Sequence, residues 1–270
     1  MAVEWAIPAL REVVKNRHTI LSGWERFVAS VLGAKCSIAV VGQGGVGKSV
    51  LLDHVTGKAL KPNYTMPARS RKLERGLIKS KGNRLALNVA PGQGGPQVDA
   101  FNKVFNTKGK TVDGVIFVAG YGYVNLRNEE VKTSFIDEKG YNLEAFRQLQ
   151  LEEELAHLKE VTHLIRMAQS REQRPRWLMV AVTKADLYHP ILEKVRQYYS
   201  PNGDSEFSAE LKKLNRLLGE DRFEWDAAPT CSKLENFSWG EEVIHSSISE
   251  DQKNHYLAQL IQRIGEMCQD

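Results

Sequence analysis

The run Gly42-Gln43-Gly44-Gly45-Val46-Gly47-Lys48-Ser49 constrains this chain more than any other feature. It has the spacing GxxxxGK[ST], follows an apolar stretch at 36–41, and precedes a helix-compatible segment at 50–54. That is the context in which the motif acts as a phosphate-binding loop. Its glycines let successive backbone N–H groups turn inward around α- and β-phosphates. Lys48 reaches the β/γ oxygens, and the Ser49 hydroxyl is the expected Mg²⁺ ligand at a helix N-terminus. A Gly-rich turn with an incidental lysine would have to explain the glycines, Lys48 and Ser49 falling in register. A bound nucleoside di- or triphosphate with magnesium is therefore expected.

Beyond the loop, strand and helix patterns alternate. Two strands at 71–80 and 84–90, joined by a Lys81-Gly82-Asn83 turn, read as an antiparallel hairpin, with Leu85, Leu87 and Val89 on one face. Apolar strands recur at 115–119, 177–182 and 227–231, with helical stretches at 98–105, 143–167, 191–199, 210–218 and 252–267. Such alternation implies right-handed crossovers and a mostly parallel sheet covered on both faces. The expected fold class is α/β: a mostly parallel, doubly wound sheet with one antiparallel edge hairpin, plus helical extensions. Ligands of such sheets bind at the carboxyl ends of the strands. Along the chain this divides into an N-terminal helical extension at 1–34, a phosphate-loop domain at 35–236 with a helical insertion around 121–175, and a C-terminal helix at 237–270 packed on that domain. Within the insertion, 123–142 has mixed charge and little periodicity, which reads as an exposed loop feeding a long helix.

Composition narrows the partners. With 42% hydrophobic and 26% charged residues the chain has ordinary globular character, and a net charge of +4 over 270 residues is too small a bias for nucleic acid. Cys36, Cys231 and Cys268 lack CxxC spacing and cannot all pair, which suits a reducing compartment. Glu4 interrupts the N-terminal segment, and no apolar run nears the roughly 20 residues that span a bilayer. A cytoplasmic location without integral membrane contact is expected. Positive charge gathers in one place: between Lys61 and Arg84 there are eight basic residues and one acid, Glu74.

The strand at 177–182 runs into Thr183-Lys184-Ala185-Asp186. A carboxylate there can accept hydrogen bonds from the ring N–H and exocyclic amine of guanine, whereas adenine would leave it unpaired. Asp186 is thus the expected base selector, and Lys184 lays its alkyl stem along the base. TKxD alone is a common turn; its place several strands beyond a phosphate loop gives it weight. The last strand leads into Thr230-Cys231-Ser232-Lys233, whose N–H groups could meet the guanine oxygen, although an ordinary strand-to-loop turn would read the same.

With these residues in this order, the chain resembles the small Ras-like GTPases of the TRAFAC class over residues 36–233. The resemblance implies a P-loop GTPase domain. Gly44 falls where that family keeps a small residue that leaves the γ-phosphate accessible, and Thr65 is the candidate switch I threonine and second Mg²⁺ ligand, with Ser70 as its rival. The switch II signature departs from the family's DxxG: Val89-Ala90-Pro91-Gly92-Gln93 has valine where an aspartate holds a Mg²⁺-bound water. Gly92 would sense the γ-phosphate and Gln93 would orient the attacking water. Proline before that glycine is similar to bacterial MglA-type polarity GTPases. Thr183, in place of the commoner asparagine, forfeits one amide contact.

The resemblance implies a GTP/GDP- and Mg²⁺-dependent molecular switch that hydrolyses GTP slowly, with Lys48, Thr65 and Gln93 as its catalytic residues. Its partner would be a regulatory or effector protein, and the basic 61–84 region is the candidate surface. A charge-protected hairpin edge is the plainer account of that region, and RNA a third. The alternative function is a pseudo-GTPase interaction module that binds GTP or GDP with little turnover. Val89 favours it, Gln93 favours turnover, and an ATP-using enzyme is the remaining option.

Overall fold

The computed structural model of the protein describes residues 35–60, 63–67, 74–80, 83–89, 112–126, 128–169 and 175–269. The extension at 1–34, the helix at 98–105, Ser70, Gly92 and Gln93 lie outside the described residues. Among those described, six strands form one sheet in the order β2-β3-β1-β4-β5-β6: β1 (Lys35–Val41), β2 (Glu74–Ser80), β3 (Asn83–Val89), β4 (Gly114–Ala119), β5 (Trp177–Val182) and β6 (Glu224–Pro229). β2 pairs antiparallel with β3, Ser80 opposite Asn83, and every other pairing in that sheet is parallel. This is the expected α/β sheet with an antiparallel hairpin at its edge.

The central strands read as unbroken apolar runs because parallel strands are buried on both faces. Every residue of β4 and β5 is buried, and Ile38, Ala39, Val40 and Val41 continue that layer into β1. β6 lies at the other edge and only partly buries its residues. It ends at Pro229, two residues before the expected end, which leaves Thr230 to Lys233 free to form a loop.

Helices cover the sheet: α1 (Lys48–Val55), a five-residue α2 (Glu129–Thr133), α3 (Leu143–Gln169), a single turn α4 (Ala185–Tyr188), α5 (Leu192–Tyr199), α6 (Glu206–Leu218) and α7 (Glu250–Gln269). α6 shows why these segments are helical. Ser205 caps it by accepting from the Ser208 N–H at 3.0 Å, Phe207, Leu211, Leu214 and Leu218 recur at helical spacing on its buried face, and Gly219 ends it. Burying each of those side chains contributes about 1.5–3 kcal/mol. α7 packs against β5 and β6.

Two segments differ from expectation. Residues 123–142 are not simply an exposed loop: Tyr123 and Val124 are buried, α2 is capped by Asn128, and Ser134–Glu138 form one turn of π-helix that half-buries Phe135 and Ile136. The aromatic residues supply the burial that the weak periodicity concealed. The C-terminal region does not open on its helix either. A hairpin, β7 (Phe237–Trp239) and β8 (Glu242–Ile244), precedes it, turning through Gly240 at φ +57°.

Two titratable groups on α3 give stability a defined pH response. Glu154 is buried, accepting from the Gly120 N–H at 2.8 Å and the Tyr199 hydroxyl at 2.5 Å, and burial raises its pKa from 4.5 to about 7. It therefore binds its proton more tightly folded than unfolded, so its contribution is greatest at low pH and is lost as pH rises from 4.5 to about 7. His157 acts in the opposite sense. Burial and the nearby Lys48 charge lower it to about 4, so its contribution is full above 6.5 and lost as pH falls towards 4. Glu154→Gln should be more stable than the wild type at pH 8 by about 3 kcal/mol, and that gain should vanish near pH 4. Denaturant unfolding at the two pH values tests this; a less stable variant at pH 8 refutes it.

Candidate functional site

All the parallel strands point their carboxyl ends to one edge of the sheet, and four loops meet there. The first follows β1. Gly45 at φ +83° and Gly47 at φ +97° adopt left-handed backbone that a side chain would strain. They differ in surroundings. A Cβ on Gly45 would lie 2.5 Å from the Asn125 carbonyl oxygen, whereas one on Gly47 would have nothing within 4 Å. The loop is thus packed on one side and open on the other, where α1 begins at Lys48. Lys48 is buried, and its Nζ donates to the Gly42 carbonyl at 2.7 Å and the Gln43 carbonyl at 2.6 Å. Ser49 stands half-buried in the first helical turn. Gln43 ties the loop to α3, donating to Gln150 Oε1 at 3.1 Å and Glu153 Oε2 at 2.6 Å.

The loop after β5 carries Thr183 to Asp186. The Thr183 hydroxyl sits 2.6 Å from the Val46 carbonyl and 2.9 Å from the Ala119 carbonyl. One O–H proton serves two acceptors here, where an asparagine amide would bring two donors. Lys184 is left-handed at φ +61°, and the other non-glycine residue with positive φ among those described is Tyr121, in the facing loop after β4. Such backbone in ordinary residues costs free energy and persists where surrounding contacts enforce it.

Asp186 is buried. Its Oδ1 accepts from the Cys231 thiol at 3.2 Å and its Oδ2 from the Glu235 backbone N–H at 3.1 Å. Burial and the adjacent carboxylate push the Cys231 thiol up to about 12, so it remains a protonated donor. The loop after β6 is locked to the one after β5 by Thr230 N–H to Val182 O at 2.7 Å and Ala185 N–H to Thr230 O at 3.1 Å.

A cavity of about 130 Å³ joins these pieces: Gly45, Val46 and Gly47 on one wall, Thr183, Lys184 and Asp186 on another, Ser232, Lys233 and Phe237 on a third. The expected residues Gly45, Val46, Gly47, Thr183, Lys184, Asp186, Ser232 and Lys233 thus share one space. Gly42, Lys48 and Cys231 brace it from behind through the contacts above. Thr65 is exposed; its neighbours Met66 and Pro67 line the cavity. Reading the sequence missed Asn125, Met66 and Phe237, which also line it. No motif marks them, because they reach the site from loops whose positions only the fold sets.

No protein-family model matches the chain, and no curated protein does. Among solved structures it is similar to a dimerization-deficient mutant of Toc33 from Arabidopsis thaliana, at 13% identity and TM-score 0.47, covering 91% of this chain and 92% of that one. It is also similar to the cytosolic domain of the T. maritima FeoB iron transporter in apo form, at 14% identity and TM-score 0.41, covering 87% of this chain and 65% of that one. At these values neither likeness bears on function, and the fold rests on the strand order and pairing above.

Proposed function

We propose that the protein is a guanine-nucleotide-binding molecular switch that hydrolyses GTP slowly and controls a protein partner. The carrying observation is the convergence of the phosphate loop, the Thr183–Asp186 loop and the Ser232–Lys233 loop on one cavity. The arrangement supports a nucleoside diphosphate: Gly47 leaves open space where phosphates would lie, Lys48 holds its ammonium against the loop carbonyls, and Asp186 lines the cavity where a base would sit. Magnesium would be held by the Ser49 hydroxyl, phosphate oxygens and water, the sparse protein donor set that suits this ion. Bound there it would neutralise charge developing between the β- and γ-phosphates. Thr65, exposed beside Met66, would have to swing inward to serve as a second ligand.

In this reading Gly92 and Gln93 respond to the γ-phosphate, and Gln93 aligns water. A second reading, an interaction module that binds nucleotide with little turnover, is favoured by Val89. That residue closes β3 opposite Val40 of β1, beside the phosphate loop, and a valine cannot hold a metal-bound water. Extraction of nucleotide from the purified protein, followed by single-turnover phosphate release from wild type and Gln93→Ala, separates the two. No guanine nucleotide bound would refute both, and no release from either protein would select the second.

The partner proposal is an acidic protein surface meeting the basic 61–84 region, of which β2 is the sheet's edge strand. Arg71→Glu with Arg75→Glu should weaken partner capture and its salt dependence without changing nucleotide affinity. Unchanged capture would leave this charge as protection of an edge. Cytoplasmic residence belongs to the same proposal; among the described residues no helix is long and apolar enough to cross a membrane.

A further inference from the structure

We infer that Asn125 and Phe237 are positioning residues for the base: together they clamp the Lys184 ammonium and hold its stem along one wall of the cavity. The guanine reading supplies what the clamp serves; the clamp itself is visible without a ligand. Lys184 Nζ donates to Asn125 Oδ1 at 2.9 Å and lies 5.3 Å from the centroid of the Phe237 ring. One jaw is therefore a carbonyl dipole and the other an aromatic face, and an ammonium is attracted to each.

Both jaws are anchored. The Asn125 N–H reaches the Gly45 carbonyl at 3.3 Å, and its own carbonyl oxygen occupies the space a Gly45 side chain would need. Phe237 meets Tyr123 edge-on at 5.4 Å, and the Arg147 guanidinium covers Tyr123 at 4.4 Å. Two residues on, Trp239 stacks on Phe146 at 3.8 Å and donates from Nε1 to the Tyr141 carbonyl at 2.8 Å. The loop after β4 and the β7–β8 hairpin are thus both fixed to the body before they touch Lys184.

A lysine needs such a clamp if its stem is to act as a wall. Its side chain carries about 2 kcal/mol of rotamer entropy, which a bound base would otherwise have to remove at the moment of binding. The Lys184 backbone is left-handed, its side chain lines the cavity, and the two jaws hold the ammonium at the end of that side chain. Desolvation by the surrounding loops draws the ammonium of this partly buried side chain downward against the pull of Asp186 and Glu235, so loss of the Asn125 acceptor should lower it further.

Titration calorimetry with GDP tests the clamp in wild type, Asn125→Ala and Phe237→Leu, and in each of these combined with Lys184→Met. Both single variants should weaken GDP about three- to tenfold, while Phe237→Tyr, which keeps the ring, should not. In the Lys184→Met background neither substitution should cost anything more, since no ammonium remains to be held. Equal losses in that background, or none in the wild-type background, would overturn the inference. In nucleotide-free protein the Lys184 amine, followed by NMR, should titrate at lower pH in Asn125→Ala; an unchanged midpoint would also overturn it. Failure of the wild type to bind GDP would instead refute the guanine reading, and the titration would still decide the clamp.

Discussion

Asp186→Asn should reduce the preference for GDP over ADP by about 10²-fold or more, since a site built to hydrogen-bond a group rejects an analogue that cannot pair by about 10⁴–10⁵-fold. A carboxylate offers about four lone-pair sites. Here the Cys231 thiol takes one on Oδ1 and the Glu235 N–H takes one on Oδ2. One site per oxygen remains on a side chain that lines the cavity, which matches the paired N–H donors on the guanine edge. An amide in place of the carboxylate would turn one acceptor oxygen into a donor. That donor would oppose an N–H of the base, so guanine recognition would suffer, and in the Oδ2 position it would also oppose the fixed Glu235 N–H. The same reversal favours a base with a carbonyl in place of the exocyclic amine, so xanthosine diphosphate should gain on GDP in the variant. Calorimetry with GDP, ADP and xanthosine diphosphate checks all three. A wild type that binds ADP as tightly as GDP would remove Asp186 from base selection.

The parts of this molecule that were legible in the sequence are those set by local spacing. Burial on both faces makes β4 and β5 unbroken apolar runs, and the phosphate loop announces itself because backbone turns of that kind need glycine where Gly45 and Gly47 stand. Contacts created by the fold were not legible. Asn125 and Lys184 are 59 positions apart, and nothing in either loop states that they meet. The β7–β8 hairpin has three residues per strand, too few for an alternation to stand out before the longer periodicity of α7. Glu154 illustrates the same limit: its helical spacing places it among apolar positions, but only the fold brings Gly120 and Tyr199 to its two oxygens.

Lys48→Ala should weaken GDP binding by about 10²-fold or more, with charge as the main cause. Its Nζ reaches two loop carbonyls from a largely buried side chain, so the ammonium is already held against the loop. Each charge-assisted bond it could transfer to phosphate is worth about 1.5–3 kcal/mol, and alanine supplies none. The neighbouring His157 cannot take its place as a cation. That imidazole is held near pKa 4 by burial first and by the Lys48 charge second, so removing the lysine relieves only the smaller cause and the ring stays neutral at pH 7. Arginine should not restore binding, because a planar guanidinium cannot replace a compact ammonium between the Gly42 and Gln43 carbonyls. The loss should persist when Mg²⁺ is chelated, whereas any loss in Ser49→Ala should shrink, since only the hydroxyl acts through the metal. Calorimetry with and without chelator separates the two. A Lys48→Ala protein that binds GDP within about threefold of wild type would mean that the phosphates do not sit in this loop.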